Sequence, residues 1–501
     1  MKTYLLGYDL GSSSVKAALL DAATGKTLAT ATAPRQEMEI LSPRPDQAEQ
    51  HPNDWWRHVK AATHSILKES RANPAHIKAI GIAYQMHGLV VTDRQGNVLR
   101  PAIIWCDSRA VETGNRAFRQ LGEMYCIERL LNSPGNFTAS KLRWVQENEP
   151  HIYEKIFKAM LPGDYLAMRL TGTINTTVSG LSEAILWDYR KNTVPERLLD
   201  FYKIDPGLLP ETVPTFAVQG RLTQTAADEL GLKQGTPVAY RAGDQPNNAF
   251  SLNVLHPGEA AATAGTSGVV YVVTDKPVAD RLARVNTFVH VNHRPEQPRL
   301  GVLLCINGTG IMNSWLRKNL GLNHQVPDYQ ILNELAASVP PGSEGLMVLP
   351  FGNGAERVLQ NRNIGASIHG LNLNRHTINH LSRAVQEGIV FALGYGFEVL
   401  KELGAATQII RAGTANMFLS EIFCKAFANI TGARLYLYNT DGASGAARGA
   451  GIGAGIFSNS EEAHRHLYCV KQYEPESRLA EAYTRAYHSW KQKLLQQLSD
   501  Q

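Results

Sequence analysis

The chain has 501 residues, 44% hydrophobic and 19% charged, a globular composition too long for one ordinary core, so two domains are expected. Its 50 Lys and Arg against 45 Asp and Glu give a net charge of +5 with no dense basic tract, which argues against a nucleic-acid partner and suits a small anionic ligand. The five cysteines (Cys106, Cys126, Cys305, Cys424, Cys469) are odd in number and lack CxxC spacing, so a disulfide scaffold or zinc knuckle is not expected and a reducing cytoplasm is. No apolar run reaches membrane-spanning length, and the first strand begins too early to leave room for a signal peptide.

Residues 4–8 and 15–20 read as two strands around a tight turn that holds Asp9, Gly11 and the hydroxyls of Ser12, Ser13 and Ser14. A Gly-opened turn with successive N–H groups and hydroxyls can cradle phosphate oxygens, and a strand-end carboxylate can hold hydrated Mg²⁺. A plain hairpin with a polar turn is the competing reading. Residues 26–33 follow as a third antiparallel strand, a helix starts near Asn53 or Asp54, and residues 77–84 return as a strand. Three strands, a helix and a strand predict a mixed sheet covered by helices.

Short strands are expected over 89–92 and 101–105, with a long helix from Ser108 and further helices over 140–147 and 164–170. Residues 171–181 are rich in Gly, Ser and Thr and read as loop or edge; residues 186–215 read as short helices broken by Pro. A strand over 237–240 leads into Gly243-Asp244-Gln245. A second strand–turn–strand at 259–273, with Gly265-Thr266-Ser267-Gly268 as its turn, echoes the first, as two related halves facing one cleft would. Further strands are expected over 345–351, 407–411 and 435–438, with one long helix over 380–403. Residues 441–451 form a helix made almost wholly of small residues. Because each Gly costs about 1 kcal/mol there, a closely approaching backbone or bulky ligand is expected. Residues 476–499 read as a charged amphipathic surface helix.

Asp9, Asp107 and Asp244 stand at predicted strand ends, where ligands gather in sheets with parallel strands. Asp244 is the best general-base candidate for a substrate hydroxyl, with helix capping as its alternative. Gln85, His87, Asp107 and Arg109 end two neighbouring strands and form a donor and acceptor set suited to a polyol. Zinc-ligand spacing, a GxSxG elbow, a Walker A loop and the protein-kinase HRD/DFG set are all missing from the sequence.

The chain resembles the FGGY carbohydrate kinases of the actin/hexokinase-like ATPase group, and within them the xylulokinases. The resemblance rests on Tyr8-Asp9-Leu10-Gly11-Ser12-Ser13-Ser14-Val15-Lys16, Gln85-Met86-His87-Gly88, Trp105-Cys106-Asp107-Ser108-Arg109, Ser140-Lys141-Leu142-Arg143-Trp144, Gly243-Asp244 and Gly265-Thr266-Ser267-Gly268. It implies an α/β protein with two ribonuclease-H-like domains, about residues 1–248 for sugar and 249–501 for nucleotide, facing a cleft, with the last helix free to pack back on the first domain. It also implies ATP-dependent phosphorylation of D-xylulose with Mg²⁺. Asp244 would be the base, and Asp9 with Asp244 would be associated with the metal. Gln85, Met86, His87, Trp105, Asp107 and Arg109 would contact sugar. Gly11, Ser12, Ser13, Lys16, Gly265, Thr266, Ser267, Gly310, Arg411, Ala412, Gly413 and Asn416 would surround the nucleotide and phosphates. The partners implied are a sugar and ATP, with no nucleic acid or membrane; a homodimer stays open.

Three departures accompany this resemblance. Arg411-Ala412-Gly413-Thr414-Ala415-Asn416 replaces the family's Gly-Gly-Gly-Ala-Lys-Ser and is expected to set Arg411 against base or phosphate. Cys106 replaces an Asn, and Tyr84 replaces the Gly before Gln85. A kinase for another pentulose or a sugar alcohol, and a catalytically silent sugar-binding relative, are the alternatives.

Overall fold

In the computed structural model, which describes residues 2–320 and 327–500, the opening apolar run forms β1 (Tyr4–Leu10) and turns back as β2 (Val15–Asp21). Strand β3 (Thr27–Ala33) extends the antiparallel ladder. Helix α1 (Pro52–Ser70) then crosses over β2 and β3, burying Trp55, Trp56, Val59 and Ile66 on one face. Strand β4 (Ile77–Tyr84) enters parallel to β1, as a crossover through a helix requires. With β5 (Phe216–Arg221) and β6 (Pro237–Gly243) the first sheet has the order β5-β6-β4-β1-β2-β3. Strand β6 runs straight into α2 (Asp244–Ser251).

The second sheet is built from β7 (Glu259–Ala264), β8 (Gly268–Thr274), β9 (Asn286–Val289), β10 (Leu300–Ile306), β11 (Ile409–Gly413), β12 (Arg434–Tyr438) and β13 (Cys469–Tyr473). Its order is β9-β10-β8-β7-β11-β12-β13. In both sheets the central run goes antiparallel twice and then parallel twice, through β3-β2-β1-β4-β6 and through β10-β8-β7-β11-β12. The slight echo between the two Gly-rich hairpins therefore marks a repeated topology. Helix α3 (Gly310–Asn319) packs on α4 (Ile378–Glu402), which lies on the second sheet.

The small-residue helix α5 (Gly442–Gly453) follows β12 in the chain yet lies on the first sheet, across β1, β4 and β6. Its composition answers to backbone approach. A Cβ on Gly7 would stand 1.9 Å from the Ala443 carbonyl oxygen, and one on Gly81 1.9 Å from that of Ala446. Ala446, Ala447 and Ala450 are fully buried in that seam, and their packing offsets the helix cost of the glycines.

Three segments differ from expectation. Residues 171–181, read as loop or edge, do hold an edge strand, Asn175–Thr177 of a two-stranded sheet, but also the unexpected start of a helix, Val178–Glu183, capped by the Thr177 hydroxyl, which accepts from Gly180 N at 3.1 Å. The strand expected over 101–105 shrinks to Ala102–Ile103, and the next helix starts only at Val111. Helix α6 (Ser477–Ser499) packs on the second domain, against α4 and the strand Met347–Phe351, not on the first. It buries Tyr483, Tyr487, Trp490 and Leu494, and Trp490 Nε1 donates to the Val348 carbonyl at 2.7 Å. That spacing of 4, 3 and 4 residues is one continuous stripe, which the charged residues between hide in a reading by composition. Among the described residues no helix is long and apolar enough to cross a membrane.

Candidate active site

The two hairpin turns face each other across a cleft of ≈ 530 Å³. From the first domain, Asp9, Gly11, Ser12, Ser13, Lys16, Gln85, Met86, His87, Trp105 and Asp244 line it; from the second, Thr266 and Ser267 do. Asp9, Gln85 and Asp244 are far apart in sequence and meet because the ends of β1, β4 and β6 lie side by side in one sheet.

Asp244 is the first residue of α2, directly after β6, and its Oδ2 accepts from Gln245 Nε2 at 3.2 Å. Burial, followed by the charge of Asp9, pushes its pKa up to about 7. Asp9 is also raised by burial; Lys16, opposite it in the β1–β2 register, pulls the other way. Gly442, at the head of α5, makes room for this carboxylate: a Cβ there would stand 2.5 Å from Asp9 Oδ2. Helix α2 is tied to the same point, since Asn247 Nδ2 donates to the Gly442 carbonyl at 2.9 Å and Ser251 Oγ to that of Asp441 at 2.7 Å. Both acids therefore rest on a frame shared by the two halves of the chain.

His87 occupies a left-handed backbone conformation (φ 61°) just past β4. Its N–H donates to Glu183 Oε2 at 3.2 Å, its Nδ1–H to the Glu183 carbonyl at 2.9 Å, and its own carbonyl accepts from Lys141 Nζ at 2.9 Å. The ring packs edge-on to Phe137 at 4.7 Å and tilted on Phe288 at 5.2 Å. Burial, with the Lys141 charge behind it, holds its pKa down at about 3, so the imidazole is neutral and Nε2 is an acceptor. Trp105, 44% exposed, forms the lip and donates from Nε1 to Ser12 Oγ at 3.2 Å.

Asp107 and Arg109 do not line the cleft. Asp107 is fully buried, with Oδ2 accepting from Ala48 N at 2.7 Å and from Arg109 Nε at 2.8 Å. Arg109 also reaches Glu49 Oε1 at 2.7 Å and lies over Trp144. The shortened strand ends in a turn that carries both side chains inward, leaving Trp105 as the cleft-lining residue of this segment. Arg411 is likewise outside the cleft. Its guanidinium pairs with Glu259 at 2.7 Å and donates to the carbonyls of Leu252 and Asn253, where α2 ends and the chain crosses to the second domain. Gly310 lies under the second turn: its N–H donates to the Gly265 carbonyl at 2.8 Å, and a Cβ would come within 2.2 Å of that oxygen. Ala412 and Gly413 end β11 beside it, and Asn416 Nδ2 would lie 3.5 Å from a Cβ on Gly265. Tyr84 packs over Gly163, where a Cβ would meet its ring at 2.0 Å, so it does not narrow the cleft.

Several lining residues escaped the sequence reading: Asn136, Phe137, Gln245, Asn286, Cys305, Asn307, Arg357 and Asn361. Glu183 lies behind them, fully buried, with its pKa raised well above the ordinary carboxylate range by burial. It belongs to the Gly/Ser/Thr-rich stretch, whose composition hid the helix that carries it.

Two domains of repeated topology facing a cleft define an actin/hexokinase-type ATPase fold. The model of the N-terminal domain of the FGGY family of carbohydrate kinases matches residues 4–251 and that of the C-terminal domain residues 260–456, and the chain belongs to this family. It is 30% identical to the xylulose kinase of Escherichia coli (strain K12) over 91% of this chain and 90% of that one. The structure of a xylulose kinase from Rhodospirillum rubrum superposes with a TM-score of 0.85 at 26% identity, covering 98% of both chains. A gluconate kinase from Lactobacillus acidophilus gives a TM-score of 0.87 at 21% identity over 99% of each, a likeness of fold. The protein is an ATP-dependent carbohydrate kinase, a phosphotransferase.

Proposed function

We propose that the protein transfers the γ-phosphoryl group of ATP to the terminal hydroxyl of D-xylulose, giving D-xylulose 5-phosphate and ADP. One observation carries this reading: a carboxylate with its pKa near 7, Asp244, stands in one cleft with a neutral His87 and two hydroxyl-rich turns. The name shared by the E. coli and R. rubrum relatives supports the choice of sugar.

In this reading the sugar lies on residues 1–248, against Gln85, His87 and Trp105, and the nucleotide phosphates lie on residues 249–501. His87 Nε2 accepts from a sugar hydroxyl, Asp244 orients the terminal O–H, and its carboxylate takes the proton as the new P–O bond forms and the β–γ bond breaks. Ser12, Ser13, Thr266 and Ser267 surround the transferred group with hydroxyl and N–H donors. The residues also fit Mg²⁺. Asp9 raises the charge cost of Asp244, and no group of three or more His, Cys, Asp or Glu among the described residues would hold an ion alone. Two carboxylates with water and phosphate oxygens is the manner of Mg²⁺, which supplies charge neutralisation on the phosphates when bound.

A coupled ADP-release assay over D-xylulose, D-ribulose, L-ribulose, L-xylulose, D-fructose and glycerol tests the reading. The highest kcat/KM is expected with D-xylulose. A higher value with another acceptor reassigns the sugar, and no sugar-dependent release with any of them overturns the proposal.

A further inference from the structure

Arg357 opens the short turn Arg357–Leu359 on the second-domain wall and lines the cleft. Its guanidinium carbon is 6.0 Å from the ring centroid of Phe137, which belongs to the opposite wall and packs against His87. The side chain thus reaches the sugar end of the cleft from the far domain. Among the described residues it has no hydrogen bond and no ion pair. Its neighbour Glu356 does not serve it. That carboxylate is fully buried and points the other way, accepting from Asn307 N and Gly308 N at 2.9 Å each. Three other guanidiniums near the site do have carboxylates: Arg109 has Asp107 and Glu49, Arg241 has Asp164, and Arg411 has Glu259.

A guanidinium drawn partly out of water without a counter-ion is costly, and carboxylates and phosphates, which take its paired N–H groups bidentately, repay that cost best. A pentulose carries no charge to offer it. Asp9 and Asp244 line the same cleft, and neither forms an ion pair with Arg357. The acceptor gains an oxyanion only when it becomes a phosphate ester.

Resting on the proposed function, we propose that Arg357 is a specificity-determining contact for an oxyanion borne by the acceptor sugar, the phosphoryl group once it has arrived on the sugar. A carboxylate on a sugar acid would present the same chemistry. The design is economical in its effect: the neutral substrate is held by the first domain, and the charged product is gripped from the second.

Titration calorimetry on the wild type, R357Q and R357K, with D-xylulose, D-xylulose 5-phosphate and D-gluconate, tests this. The expected result for R357Q is a Kd for D-xylulose within about twofold of wild type and a Kd for the 5-phosphate weakened ~10-fold or more, with R357K recovering part of the loss. Gluconate binding to the wild type that is lost in R357Q makes a sugar-acid carboxylate the source of the oxyanion and supports the assignment equally. An R357Q protein that keeps the wild-type preference for phosphate over sugar, or one that weakens all three ligands alike with R357K doing the same, overturns it. Failure of the proposed function shows elsewhere, as a wild type without sugar-dependent ADP release.

Discussion

The two hairpin turns occupy equivalent places in the two sheets, yet their chemistry differs. In the first, the second residue pair back from the turn is Asp9 opposite Lys16; in the second it is Thr263 opposite Val269. The first turn is held by its own domain, with Gly11 N donating to Ser14 O at 3.0 Å, Gln50 Nε2 to Ser12 O at 2.7 Å and Met38 N to Ser13 O at 2.7 Å. The second is held by the start of α3, where Gly310 N and Ile311 N donate to the carbonyls of Gly265 and Thr266 at 2.8 and 3.1 Å. Topology repeats and charge does not. Both acids, Asp9 and Asp244, come from the first half, and the second half contributes hydroxyls, amides and the unpaired Arg357. A duplicated frame has thus been divided into an acidic jaw, which can take a proton, and a donor jaw, which can hold phosphate.

The largest test of that division is D244N. We expect kcat to fall by roughly 10²–10⁴-fold, with dissociation constants for sugar and nucleotide near wild type. Near-normal turnover would remove Asp244 as the base. In the wild type, kcat/KM should fall about tenfold per pH unit below a break near 7, since the active form is the ionised carboxylate. Stability runs the opposite way. A carboxyl whose folded pKa is raised stabilises the fold fully below its unfolded pKa, and this contribution is lost as pH rises through about 7. D244N keeps the neutral form throughout, so at pH 8 it should melt above the wild type, by roughly 2 °C, as read by calorimetry.

The next effect separates the two turns directly. D9N should lower kcat by about 10²-fold and raise the Mg²⁺ concentration needed for half-maximal rate, a loss of a few kcal/mol of charge stabilisation. T263A, at the equivalent position, should stay within about twofold on both counts. Equal losses in the two variants would mean that the repeat is functional as well as topological.

Much of this frame can be read before folding. The hairpins, β4 and α4 follow from apolar runs with clear boundaries, and Asp9, His87 and Asp244 are legible because each ends such a run. What could not be read depended on distant partners. Asp107 and Arg109 end a short strand much as His87 does, but they are claimed by Ala48 and Glu49 from another loop. Arg411 is expected against base or phosphate because it stands where the family's Gly-Gly-Gly-Ala-Lys-Ser begins, but it lies within β11 and its partner Glu259 is on the adjacent parallel strand, with Ile409 opposite Glu259 in the register. The stripe on α6 has a legible period, but nothing local says which of two cores receives it. Glu183 and Arg357 carried no local mark, since each matters through the opposite wall or the residue it supports.

The smallest expected effect sharpens the contrast on the sugar side. Glu183 is a buried carboxyl that accepts from the His87 N–H and faces the Tyr84 hydroxyl. Burial raises its pKa well above the ordinary carboxylate range, and its hydrogen bond from the His87 N–H holds the left-handed backbone there, which sets where Nε2 points in the cleft. If neutrality is what counts, the amide of E183Q can accept from His87 N–H as the acid does, and KM for D-xylulose should change by less than about twofold. E183L removes the acceptor and strands that N–H, and should raise the sugar KM by about 3–10-fold, the worth of one buried hydrogen bond, with the ATP KM unmoved. An E183Q enzyme as impaired as E183L would mean that the ionised carboxylate is required, which would move Glu183 from supporting His87 to sharing the charge of the acidic jaw with Asp9 and Asp244.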